Sequence, residues 1–330
     1  MRRLLSALLL GVVLAGCDGF SDDEFEPQVV VSALLGAEES LPAITLTQTA
    51  PLLEPFDPEA VAVEGATVSV SLLGADGEVE SVYPYVSGPE AGLYLPSPSL
   101  PIDLRVRPLR TYRLDVTSLD GDVLTAETTV PPKYEVVEGP GDEVPYGIGQ
   151  GPEVRITAST TVERRAAFVA STRALAADDF EAVTVDGETK YRSLNEPGRF
   201  RPVPIVQRFF DCEEEAGGTL LCDDDPTVDA LVGTSPVINE ASYVDLGDGT
   251  LLVQVPFLAF GFYGPQRLSL VSLDEAFQDF VQTQAIQGGG STLSPGEIPN
   301  VTTNVVGGLG VFGSFARESV EMSIIETSGP

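Results

Sequence analysis

Short apolar runs of alternating phase, broken by glycine, proline and aspartate, recur from residue 28 almost to the end of the chain. When every second residue is apolar, one face of an extended strand lies in a core and the other meets water. Val68, Val70 and Leu72 form such a face in "ATVSVSLLGADGEVESVYPYV", and Asp76-Gly77 supplies the positive φ that a tight hairpin needs. "QVVVSALLG", "AITLTQTA" and "GLYLPS" read the same way. So does "YRLDVTSLDGDVLTAETTVP", with its turn at Asp120-Gly121. About seven strands in roughly one hundred residues predict an immunoglobulin-like β-sandwich over residues 28–132.

Residues 133–152 are rich in proline, glycine and acid, and read as a linker. From 153 to 330 the strand pattern resumes, with hairpin signals at Asp186-Gly187 and Asp248-Gly249. One short helix is predicted in "SLDEAFQDFVQTQAI", with Ser272 and Glu275 as a capping box and Ala276, Phe280 and Val281 on one face. The final strand region, "NVVGGLGVFGSFARESVEMSII", is expected to close the second domain. Glycines 307, 308 and 310 permit a bulge or close backbone approach; no helix pattern follows, which argues against a phosphate loop. The predicted class is all-β: an N-terminal immunoglobulin-like sandwich followed by a second antiparallel β domain with one short helix.

Ahead of the first strand the pattern changes. Met1-Arg2-Arg3 is basic, Leu4 to Leu14 is nearly all apolar, and Leu14-Ala15-Gly16-Cys17 matches the bacterial lipoprotein box. The apolar run is too short for a bilayer core, which takes roughly 20 helical residues. Residues 1–16 therefore read as a lipoprotein signal peptide, Cys17 as the lipidated residue, and 17–27 as an acidic tether. Several acyl chains, palmitate among them, hold far more firmly than one.

The chain carries 18 basic and 50 acidic residues, a net charge of −32; removal of Arg2 and Arg3 with the signal peptide takes it to −34. Such a field repels nucleic acid. Lys133 and Lys190 are the only lysines, a composition like that of proteomes adapted to high salt. Histidine is absent, which excludes a Ser-His-Asp triad and the usual neutral-pH base. With Cys17 assigned to lipid, Cys212 and Cys222 remain for a disulfide in an oxidising compartment.

Two clusters suggest chemistry. Asp223, Asp224, Asp225 and Asp229 supply enough oxygen for calcium, although the spacing is not that of an EF-hand; the alternative is a solvated acidic loop. Arg199, Arg201 and Arg208 lie among Phe200, Phe209 and Phe210, a set that can grip a ligand or simply pair with neighbouring acids. A histidine-free glycan hydrolase would need two facing carboxylates and a floor of aromatics, and tryptophan is absent. A structural, adhesin-like module is the remaining rival. No catalytic residue, and no cofactor beyond the calcium candidate, is assigned.

"PNVTTNVVGGLGVFGSF", residues 299–315, resembles the closing signature of the domain of unknown function 4249 family. The lipoprotein box, "VVVSALL", "FDPEAVAVEGATVSV" and "YRLDVTSLDGDVLTAETTVP" extend the likeness over most of the chain. The resemblance implies an envelope lipoprotein, of a kind often encoded beside TonB-dependent outer-membrane receptors, with no established activity. The expected function is therefore a non-enzymatic accessory or binding component of a receptor-linked uptake or surface system. It would be lipid-anchored in the outer membrane. Asp22, Asp23 and Glu24, just past Cys17, resemble an export signal to the outer face; a plain acidic spacer is the alternative.

Overall fold

The alternating runs fold as strands, as a computed structural model shows for residues 25–51, 57–147, 151–161, 164–175, 182–185, 188–192, 200–202, 232–260, 264–285 and 302–326. The first seven strands are β1 (Val29–Gly36), β2 (Ile44–Gln48), β3 (Thr67–Leu73), β4 (Val79–Ser87), β5 (Leu93–Pro96), β6 (Thr111–Thr117) and β7 (Val123–Thr129). They hydrogen-bond in the order β1-β2-β5-β4-β3-β6-β7. Lettered A to G along the chain, that order is A-B-E-D-C-F-G, the two half-sheets of the immunoglobulin sandwich. β4 joins the halves: Val79 to Pro84 pair with β3, and Tyr85 to Ser87 with β5.

Two buried tyrosines lock this sandwich through their polar ends. Tyr112, near the start of β6, accepts a hydrogen bond at 2.8 Å from the backbone N–H of Arg107, five residues upstream. This is the tyrosine corner of immunoglobulin-like sandwiches. Tyr94 donates to the Val63 carbonyl and accepts from the Ala66 N–H, both at 2.9 Å. Three of the predicted Asp-Gly turns hold as well: Gly77, Gly121 and Gly249 have φ of 82°, 95° and 86°, while Asp186-Gly187 lies outside the described residues.

Residues 133–152, read from sequence as a linker, instead carry two strands, β8 (Val136–Glu138) and β9 (Glu143–Tyr146), which pair with β10 (Glu153–Thr157) and β21 (Leu309–Glu326). Short edge strands rich in proline and glycine give too little alternation to be read as strands. After β10 come β11 (Thr160–Thr161), β12 (Arg164–Arg165) and β13 (Ala167–Ala174). There follow β14 (Ala182–Val185), β15 (Glu188–Arg192), β16 (Phe200–Pro202), β17 (Val232–Thr234), β18 (Tyr243–Asp245) and β19 (Thr250–Gln254). β20 (Gly264–Leu273), α1 (Glu275–Ala285) and β21 (Leu309–Glu326) complete the set. α1 is the one α-helix among the described residues, so the protein is all-β. β17-β13-β20-β21 run on through β1 into the strands of the first sandwich as one twelve-stranded sheet, with β9 beside β21; facing their β13-β20 end is a second sheet, β18-β19-β10-β8, with β11-β12 and β14-β15-β16 apart. Phe168 of β13 lies at the core between them, its ring meeting Tyr134 and Tyr243 edge-on at 5.7 and 5.8 Å. The Tyr243 hydroxyl donates to the Ala166 carbonyl at 3.0 Å, and Tyr134 donates to the Leu270 carbonyl.

The last strand departs from expectation. Leu309 to Phe315 of β21 pair in parallel with Val30 to Gly36 of β1, and Phe315 to Ile324 pair antiparallel with β20. Val306 also bridges Thr125 of β7. The glycine-rich segment therefore closes the first sandwich, between its two edge strands β1 and β7, before running on into the second. Alternation marks a strand but carries no label for a partner some 280 residues away, which is why the pattern alone assigned it to its chain neighbours.

The helix start also differs. Asp274, not Ser272, is the N-cap: its Oδ1 accepts from the Phe277 N–H at 2.9 Å and its carbonyl from the Gln278 N–H at 3.0 Å. Ser272 stays in the ladder opposite Ala316, so its backbone is still extended where a cap residue would have to end the strand.

Candidate functional site

A cleft of about 480 Å³ opens where β6 and β7 of the first sandwich meet α1 and the paired strands β11 and β12. Thr111, Glu127, Thr161, Arg164, Asp279 and Asn304 are among the residues lining it. Glu275 and Asp279 also reach it, placed on one helix face by their four-residue spacing.

Asp274 forms the floor and is 6% exposed. Thr128 of β7 donates to its Oδ2 at 2.6 Å and shares a second hydroxyl contact, also 2.6 Å, with Ser314 of β21. With Thr128 donating to the carboxylate, Ser314 is the donor to Thr128. The Asp274 N–H in turn donates to the Ser314 carbonyl at 3.0 Å. One carboxylate thus caps α1 and ties it to both sandwiches. Both its oxygens are engaged, so it is held as a structural group rather than presented as a general acid.

Burial pushes the Asp274 carboxyl above its ordinary range, while the Thr128 and Phe277 hydrogen bonds and the Arg164 charge pull the other way. A carboxyl whose folded pKa is raised contributes stability below its unfolded pKa and loses it as pH climbs through the folded value. Asp274→Asn keeps an Oδ1 acceptor for the cap and removes the charge. Its melting temperature should therefore gain on wild type as pH rises from about 4 to 8, and parallel melting curves across that range would refute the assignment.

Asn304 stitches the wall. Its Nδ2 donates to the Glu127 carbonyl at 3.0 Å and the Phe312 carbonyl at 2.7 Å, and its Oδ1 accepts from the Phe312 N–H at 3.0 Å. Opposite, Arg164 donates through Nη1 to Gln278 Oε1, but its Nη2 has no partner among the described residues. Thr161, 7% exposed, also has a hydroxyl without a partner among them. Buried polar groups are nearly always paired. Two unpaired donors beside the acceptor-rich rim of Glu127, Glu275 and Asp279 suit a polar ligand that can both accept and donate hydrogen bonds.

The sequence pattern did not point to Arg164, Thr161, Thr128 or Asn304. Asn304 does stand inside the closing signature, and Asp274 sits at a position where a cap is chemically reasonable. Cys17, Asp22, Asp23, Glu24, Cys212, Cys222, Asp223, Asp224, Asp225 and Asp229 all lie outside the described residues, as do Arg199 and Arg208. Among the described residues no group of three or more acids or cysteines is placed to hold a metal ion. No helix among them is long and apolar enough to cross a membrane.

Residues 20–321 match a family profile described as "Domain of unknown function (DUF4249)". No protein of curated function matches. Among solved structures, Escherichia coli alpha-2-macroglobulin activated by porcine elastase overlaps 91% of this chain at 11% identity, with a TM-score of 0.19. The trypsin-activated form overlaps 76% at 10% identity, again with a TM-score of 0.19. The chain spans only 20% and 14% of those two proteins, and overlaps this slight bear on neither fold nor function.

Proposed function

The chain belongs to the domain of unknown function 4249 family, and on that premise we propose that it is a non-enzymatic outer-membrane lipoprotein, the binding or accessory component of a receptor-linked uptake or surface system. The observation that carries this reading is Leu14-Ala15-Gly16-Cys17 behind a short apolar run, just ahead of where the family match begins at residue 20. Lipid on Cys17 anchors the chain, and residues 18–27 with their acids form the tether to the first strand. The cleft lined by Arg164 and Thr161 supports the binding role. Its buried carboxylate, Asp274, is committed to a helix cap rather than left free for acid catalysis. An oxidising envelope would favour a Cys212–Cys222 bridge, and the Asp223 to Asp229 cluster beside it is the candidate calcium loop.

Cys17→Ala should move the protein from the membrane to the soluble fraction. Wild type, extracted in mild detergent, should co-purify with a β-barrel receptor. Soluble, receptor-free wild-type protein would overturn the proposal. Display on the outer face is read separately: Asp22→Ala with Asp23→Ala should lower surface protease accessibility if the acids are an export signal.

A further inference from the structure

The register of the first sandwich places several segments at the end where the chain enters. Thr67 at the start of β3 lies opposite Thr117, Thr117 opposite Val123, and Val30 opposite Leu309. The entry at Val29, the β6–β7 hairpin and residues 306–309 therefore share one pole. Gly36, Thr111 and Thr129 lie at the other, where Phe315 carries β21 on towards the second sandwich and the cleft opens.

Large apolar side chains stand exposed at the entry pole. Leu119 is 77% exposed, Val306 71%, Val123 63% and Phe25 46%. The segment after Val306 runs against the start of β7, where a Cβ on Gly307 would lie 2.3 Å from the Val123 carbonyl oxygen, and the Leu119 side chain lies over Gly65, where a Cβ would meet its Cδ1 at 2.7 Å. Glu26, Glu64, Asp120 and Asp122 flank the patch, while segments 25–29, 64–67, 117–123 and 305–308 contain no lysine or arginine.

We propose that this pole rests on a lipid surface of neutral headgroups, with Leu119, Val123 and Val306 at the headgroup boundary and the cleft facing away. The inference rests on the lipoprotein reading. Eight Cα steps separate Cys17 from Phe25, so the pole stays within about 28 Å of the anchor even with the tether fully extended. Among the described residues this pole is the end joined directly to the tether, and apolar side chains there gain by leaving water. The flanking acids set the headgroup preference, since an anionic surface would repel them.

The chain contains no tryptophan, so a single introduced one reports its own surroundings. Full-length lipidated Leu119→Trp and Val306→Trp variants, in phosphatidylcholine vesicles with brominated acyl chains, should be quenched several-fold more than in unbrominated vesicles. An Ile102→Trp variant, at a site 97% exposed on the loop against Ser40 and Leu41 at the far pole, should be unaffected. Adding phosphatidylglycerol at low salt should reduce the quenching, and salt should restore it. Flotation of wild type with the vesicles reports anchorage independently. Protein that floats with all three reporters quenched alike, or none, overturns the seat but not the anchor; protein that does not float overturns both. Blue-shifted emission that appears without lipid and vanishes on dilution assigns the patch to a second copy and also overturns the proposal.

Discussion

Gly310→Ala is expected to destabilise the protein by about 4 kcal/mol, the sum of backbone strain of about 1–3 kcal/mol and overpacking of about 1–3 kcal/mol. Gly310 has a φ of 99°, and a Cβ there would lie 1.9 Å from the Val31 carbonyl oxygen and 2.8 Å from the Val31 nitrogen. The pair Gly310–Val31 belongs to the parallel ladder by which β21 closes the first sandwich. Backbone cannot yield there as a flexible side chain would, so the strand must move away from β1. Native domains hold only about 5–15 kcal/mol in reserve, so the loss should show as a large fall in the denaturation midpoint. Gly77→Ala is the matched control. Its φ is 82° but nothing lies within 4 Å of the added Cβ, so only the smaller strain of about 1–3 kcal/mol applies. Equal effects at the two sites would show that the close approach to Val31 is not what requires glycine.

Phe168→Ala is the second large effect, expected at about 3–5 kcal/mol. The ring is fully buried and bridges the two sheets through Tyr134 and Tyr243. Each edge-on pair is worth about 0.5–1.5 kcal/mol beyond its area, so the upper part of that range is expected. Phe168→Leu should recover the volume but not the ring contacts, and fall between alanine and wild type. A leucine variant as unstable as alanine would mean shape, not volume, governs the site. Because β21 belongs to both sandwiches, loss at Phe168 should lower the unfolding midpoint seen from either one. Separate midpoints in the two halves would refute that coupling.

The two variants probe levels of structure that differ in how far they could be read from sequence. The alternating faces of β1, β3, β6 and β7, and the Asp-Gly turns at 76–77, 120–121 and 248–249, are local: each follows from residues within one hairpin. The family likeness read from residues 299–315 is likewise borne out by the match over 20–321. The misplaced helix cap shows where local reading stops. Ser272 and Glu275 satisfy the capping-box spacing, but β20 stays in register through Leu273, leaving Asp274 as the first residue free to end it.

Residue order by itself determined the all-β class, the hairpin turns and the absence of histidine chemistry, because alternation, turn geometry and side-chain inventory are properties of short windows. Tertiary structure alone decided that the final strand closes the first sandwich, that Asp274 joins Thr128 and Ser314, and that Arg164, Thr161 and Asn304 meet at one cleft. Those contacts unite positions 146 and 186 residues apart in the case of Thr128 with Asp274 and Ser314. A strand's period says which face is buried, whereas its partner is chosen by the whole set of edges competing to be covered.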